Sequence, residues 1–293
     1  DKCIARTKAL GVRLVDVYVP WSVHELAPGE LDLGQVEARH DVRRFIELCH
    51  AAGLYVIVRP GPHINAELTY FGIPKRIVWD PACQALSPRR SPVVLPMIPQ
   101  AFPVPSYASQ VFLDESCRYL EQMSRALAPL AHPHGPIVMV QVDNEGAMYF
   151  RDGVYDQDYH PDAIGLYRGF LREKYRTLEG LQAAYGAPRE GELRFGDIEP
   201  PLRFDAQTTS DLPRHIDWAE FQETLLTRAL GRMAEAIEAG GLGHLPRSHN
   251  FPPGQETTPL NAARLERTLS GSLASTGGVG KQPRGPLARD NVA

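Results

Sequence analysis

The chain is 293 residues long, 43% hydrophobic and 23% charged, with a net charge of −4. That length suits one large domain with a sizeable core, and an α/β barrel takes about 250 residues. Basic residues are scattered along an acidic chain and no apolar run approaches the roughly 20 residues of a membrane span, so neither nucleic acid nor a membrane is expected as a partner.

The sequence starts inside a helix-like segment, CIARTKAL, stopped by Gly11, and so reads as a processed or truncated chain. Val12 to Val19 follows as a strand that stops at Pro20, with Trp21, His24 and Glu25 crowded into the loop after it. From Asp41 to Ala52 the apolar residues Val42, Phe45, Ile46 and Cys49 keep the i, i+3, i+4, i+7 spacing of an amphipathic helix, which Gly53 closes. Leu54 to Val58 is the next buried strand, and it runs into a loop rich in Gly and Pro, Arg59 to Glu67, where a rigid turn can hold Asn65 and Glu67 over a pocket. Helix, strand, helix, strand with short links is the alternation of parallel βα units. Asp80 to Ser106 is Pro-rich without periodicity and is expected as a surface loop over the active face. Val111 to Ala131 returns to helix on the stripe Phe112, Cys117, Leu120, Met123 and Leu127.

Gly135 to Phe150, GPIVMVQVDNEGAMYF, carries the strongest chemical signal. Ile137 to Val142 is an apolar run of strand length, and Asp143, Asn144 and Glu145 leave it together. The C-terminal ends of buried strands are where α/β barrels put their chemistry, which makes Glu145 a candidate proton donor. The alternative is a strand that merely runs out into a solvated loop. Helices are expected over Pro161 to Tyr175, Leu178 to Tyr185 and His215 to Ala239, and a further strand over His244 to Phe251, with His249 and Asn250 at its exit. Residues 269–293 are rich in Gly, Ser and Pro and are expected to be a mobile tail to a domain spanning 1–268. The four cysteines, at 3, 49, 83 and 117, lack ligand spacing, and neither a metal nor a cofactor is expected.

Three ordered motifs, LVDVYVPWSVHE at Leu14 to Glu25, YVIVRPGPHINAEL at Tyr55 to Leu68 and GPIVMVQVDNEG at Gly135 to Gly146, resemble glycoside hydrolase family 35, the β-galactosidases. REKYRTLEGLQAAYG, Arg172 to Gly186, is more similar to family 42 β-galactosidases. The resemblance implies a TIM (β/α)8-type barrel, incomplete here, with strands resembling the second to the fifth. It further implies a retaining hydrolase releasing terminal β-D-galactose from a carbohydrate substrate, with Glu145 as acid/base. Tyr18, Asn65, Ala66, Glu67 and Asn144 would grip the sugar, whereas Trp21, His24 and Glu25 read mainly as support. His63 stands where the family more often has Tyr, and Leu68 where it usually has Trp. The resemblance places the second carboxylate on a seventh strand. Glu256 is late enough to consider, but Pro252, Pro253 and Gly254 precede it, and no nucleophile is assigned. Two alternatives stay open, a sugar-binding relic of the same fold and a related hydrolase of another β-linked sugar.

Overall fold

A computed structural model describes residues 2–96, 100–146, 153–186, 194–250 and 261–269. Strands β1 (Leu14–Tyr18), β2 (Tyr55–Gly61), β3 (Ile137–Val142) and β4 (Arg247–Ser248) form one sheet in the order β1-β2-β3-β4, and every neighbouring pair is parallel. Sequential parallel strands need helical crossovers, and the chain supplies them. Helix α1 (Lys2–Ala9) precedes β1, α2 (Val42–Ala51) joins β1 to β2, and α3 (Gln110–Leu127) joins β2 to β3. Between β3 and β4 run α4 (Pro161–Tyr175), α5 (Leu178–Tyr185) and α6 (Leu212–Ile237), and α7 (Ala262–Thr268) follows. This is an arc of a TIM-type α/β barrel.

Local chemistry sets the helix limits. Asp41 caps α2 by accepting from the Arg44 amide at 2.8 Å, and Ser109 caps α3 by accepting from the Phe112 amide at 3.1 Å. Gly53 ends α2 with φ at 72°, a conformation that costs glycine nothing. Most of each predicted stripe is buried, with Val42, Ile46 and Cys49 inward from α2 and Phe112, Leu120, Met123 and Leu127 from α3, whereas Phe45 is exposed and Cys117 half-buried.

The main core lies between these helices and one face of the sheet. Val56, Val58, Ile137, Val140 and Val142 are fully buried against Ile46, Cys49, Leu120, Met123, Leu230 and Met233. On β1 the alternation is visible: Val15 and Val17 pack on this core, while Leu14, Asp16 and Tyr18 face the other way. That second face is the interior of the barrel arc. A second cluster, built on Tyr159, Tyr167, Leu171, Trp218 and Phe221, joins α4 to α6, with the Trp218 ring 5.1 Å from both tyrosine rings.

Three expectations are corrected. Residues 80–106 are not a surface loop, because Ala85, Val93, Leu95, Phe102 and Val104 are buried in the main core. Proline removes helical and strand periodicity without removing the drive to bury apolar groups. The connector satisfies its own backbone instead, through Ala85 to Val104, Val93 to Ala85 and Val104 to Val93 bonds of 2.8–2.9 Å. Among the described residues, the strand expected over His244 to Phe251 is reduced to Arg247–Ser248 paired with β3 and a single bridging residue at His249, directly before Asn250. Leu269, assigned to the mobile tail, is fully buried, and its amide donates to the Leu265 carbonyl at 2.9 Å. The rest of that tail, 270–293, lies outside the described residues, as does Glu256.

Candidate active site

The register of the sheet builds the site. Tyr18 pairs with Arg59 across β1 and β2, so both side chains leave the same face at the C-terminal ends of their strands. The Arg59 guanidinium lies 4.4 Å above the Tyr18 ring, donates to Asp16 Oδ2 at 2.9 Å, and donates to Asn144 Oδ1 at 2.7 Å. One side chain thus ties the exits of three strands together. Asn144 Oδ1 also accepts from Gln141 Nε2 at 3.2 Å. With donors on the oxygen, the Asn144 amide nitrogen is turned the other way as a hydrogen-bond donor. Asn144 is buried and Glu145 half-buried.

Asp143 and Glu145 sit in left-handed backbone, with φ at 57° and 54°. For residues with a Cβ this costs about 1–2 kcal/mol each, and it persists only where the surroundings over-determine it. They do here. The Asp143 amide donates to the Gly61 carbonyl at 2.9 Å, Asp143 Oδ1 accepts from the His63 amide at 3.1 Å, and Oδ2 accepts from the Tyr107 hydroxyl at 2.6 Å. Gln141 Nε2 donates to the Asp143 carbonyl at 3.0 Å, His63 Nδ1 donates to the Asn144 carbonyl, and the Glu145 amide donates to Asn250 Oδ1 at 3.2 Å. Backbone strain held this firmly beside polar side chains is the mark of a functional turn.

Asn65, Ala66 and Glu67 form a second such turn after β2, all three at positive φ (63°, 48° and 55°). Glu67 is exposed, and Asn65 and Ala66 are half-buried. The two turns and Tyr18 share one electrostatic environment. Burial raises the Tyr18 phenol above its ordinary range against the lowering effect of Arg59, and the Asp16, Glu67 and Glu145 carboxylates raise it further. At this mouth of strand exits Arg59 joins Tyr18 to Asn144, and the Glu67 and Glu145 carboxylates act electrostatically on Tyr18, with Asn65 and Ala66 on the turn that carries Glu67.

Beneath the mouth lies a buried titratable layer. Burial pushes the Asp143 carboxyl up to about 7, against the donors Tyr107, His63 and Asn144. It pushes His63 and His249 down to about 4, so both are neutral at ordinary pH. His249 Nδ1 donates to the Val142 carbonyl at 2.8 Å. Among the described residues no three His, Cys, Asp or Glu side chains gather to hold a metal ion.

Trp21, His24 and Glu25, read mainly as support, are tied into the fold, with His24 Nδ1 donating to the Asp32 carbonyl at 2.8 Å. Trp21 is fully buried and stacks on Tyr119 at 5.3 Å, its Nε1 donates to Glu25 Oε1 at 3.0 Å, and Arg76 clamps both Glu25 oxygens at 2.7 and 2.9 Å. Four residues of the site were not singled out as such in the sequence: Arg59, Tyr107, Gln141 and Asn250. Arg59 and Gln141 stand inside recognised motifs, directly after and within apolar runs, and a buried-strand polar residue is itself a signal. Nothing near Tyr107 offers one.

Comparison with known proteins follows the same division. A model of glycosyl hydrolases family 35 matches residues 1–89, and the family 42 model, described as β-galactosidase, matches residues 104–270, more than half of the chain. This chain belongs to the family 42 β-galactosidases. The Gly135–Gly146 motif lies in the part matched by family 42, so the family 35 pattern is carried by the first two motifs. This family 42 chain is 27% identical over 249 residues to a β-1,2-glucosyltransferase of Ignavibacterium album, covering 84% of the chain and 33% of that protein. It is 33% identical over 157 residues to a β-galactosidase of Felis catus, covering 53% of the chain and 20% of the relative. The crystal structure of β-galactosidase from the psychrophilic Marinomonas ef1 superposes with a TM-score of 0.68 at 18% identity, over 94% of this chain and 38% of that one. The chain thus spans a third or less of the length of these curated relatives.

Proposed function

We propose that the site belongs to a retaining glycoside hydrolase that removes terminal β-D-galactose, with Glu145 as the acid/base. The observation that carries this reading is the Asn144–Glu145 turn itself. Its backbone is strained and pinned, Glu145 stands half-buried at a strand exit, and Asn144 presents an amide donor fixed by Arg59. Glu145 would protonate the departing glycosidic oxygen and then deprotonate the water that hydrolyses the glycosyl-enzyme. Tyr18, Asn65, Ala66, Glu67 and Asn144 would hold the sugar hydroxyls.

A retaining mechanism also needs a second carboxyl about 5–5.5 Å from the first. None is assigned here, so this chain is expected to bind galactose and to show weak or no turnover as it stands. The test pairs two measurements on the purified chain, thermal unfolding with added galactose and hydrolysis of an aryl β-galactoside. The reading expects a raised melting temperature with little hydrolysis. Loss of all galactose protection would sink it, and hydrolysis abolished by Glu145→Gln would reveal a nucleophile within the chain.

A second reading is favoured by the relative named β-1,2-glucosyltransferase, whose match covers 84% of the chain, more than the 53% covered by the feline β-galactosidase. It makes the sugar another β-linked hexose. Protection by glucose or glucosamine in place of galactose would select it.

A further inference from the structure

The turn that carries Glu145 rests on two side chains for which the proposed reaction has no use. Tyr107 comes at the end of the Pro-rich connector, is 2% exposed, and stacks on Phe112 of the first turn of α3 at 5.8 Å. Its hydroxyl donates to Asp143 Oδ2 at 2.6 Å, while the main chain of the β2 exit donates to Oδ1 through the His63 amide at 3.1 Å. The buried carboxyl is thus gripped from two separate segments, and both contacts fix the residue two positions before Glu145.

Among the described residues, the groups around Asp143 come from several elements. Tyr107 faces it from the connector and His63 from the β2 exit. His249 lies beneath β3 on the Val142 carbonyl, and Arg59 reaches the next residue through Asn144. The donors bonded to the Asp143 carboxyl are neutral, a phenol and main-chain amides. Ionised Asp143 therefore brings a negative charge into a low-dielectric layer, and two residues in one turn are at most about 7 Å apart at Cα.

We propose that Tyr107 and Asp143 are a positioning pair for Glu145: the phenol–carboxyl bond under the turn fixes the direction of Glu145 and governs the negative charge behind it. This rests on the reading of Glu145 as acid/base and adds to it the means by which that residue is held and poised. Tyr107 is buried and its hydroxyl is bonded to the Asp143 carboxylate, so its proposed role passes through Asp143. The connector then has a function that its composition hides, since it delivers a hydroxyl that holds this carboxyl.

The test is a carboxyl ¹³C NMR titration of the chain labelled at Asp and Glu side chains, compared with Tyr107→Phe. In the unmodified chain the Glu145 carboxyl signal is expected to be displaced as pH passes through the midpoint of Asp143. Tyr107→Phe removes a donor to ionised Asp143, so that midpoint should rise and the displacement of the Glu145 signal should follow it. A Glu145 signal that does not respond at the Asp143 midpoint in the unmodified chain would overturn the proposal without any variant. So would a variant in which Asp143 moves and Glu145 does not, because the pair would then be a strut only. Failure of the acid/base reading looks different: added galactose would leave the Glu145 signal unmoved while the coupling to Asp143 remained.

Discussion

Replacing Asp143 with Asn should change how the stability of the fold depends on pH, in a direction fixed by three buried groups. Burial raises Asp143 to about 7, so its contribution favours the folded state at low pH and is lost as pH climbs from the ordinary carboxylate range to about 7. Burial lowers His63 and His249 to about 4, so their contributions are present above the ordinary histidine range and are lost as pH falls through about 4. Near pH 5 the unfolded chain holds a proton on each histidine that the folded chain lacks, and the folded chain holds one on Asp143. The net uptake on unfolding is one proton, which corresponds to stability rising by about 1.4 kcal/mol per pH unit from these groups. Asp143→Asn leaves the two histidines unopposed, and the slope doubles to about 2.7 kcal/mol per pH unit. Between about pH 4.5 and about pH 6 the variant should therefore gain about 2 kcal/mol more than the unmodified chain. Urea unfolding at three pH values in this window measures it, and other carboxylates cancel in the comparison. Parallel slopes for the two proteins would refute the placement of a protonated Asp143 beside two neutral histidines.

Other substitutions probe the fold and the mouth separately. Trp21→Ala empties a fully buried site stacked on Tyr119 and should cost about 3–5 kcal/mol in urea unfolding. Two glycines should respond oppositely to alanine. At Gly135 a Cβ would lie 2.1 Å from the Leu130 carbonyl oxygen, and the loss should be about 1–3 kcal/mol. At Gly165, inside α4 with nothing within 4 Å, the gain should be about 0.5–1 kcal/mol by calorimetry. Arg59→Met frees the Asn144 oxygen from its cation, and galactose binding followed by thermal shift should weaken about tenfold, the scale of a lost charged hydrogen bond.

Much of the fold could be read from periodicity, because α2 and α3 bury most of the stripe their spacing announces, α4 and α5 form over the expected spans, and β3 occupies the very run of apolar residues that suggested it. The connector 80–106 could not, since its burial is carried by irregular backbone and cross-connector hydrogen bonds that leave no period in the sequence. Its product, Tyr107 under Asp143, joins residues 36 positions apart. At the mouth, the polar residues after β2 and β3 were visible because polar groups at strand exits need a reason. Arg59 was harder: a single arginine after a strand has many uses, and only the parallel register that sets it beside Tyr18 and against Asn144 reveals its place.

The account stands on Glu145 sharing one sugar-binding mouth with Tyr18, Asn144 and the Asn65–Glu67 turn. Titrating the labelled chain with galactose while following the Glu145 carboxyl and the amides of 65–67 tests this directly. The expected result is that all of these signals move together and saturate at one galactose concentration. If galactose shifts the amides and leaves the Glu145 carboxyl still, or shifts neither, the carboxyl does not face the sugar and the account is wrong.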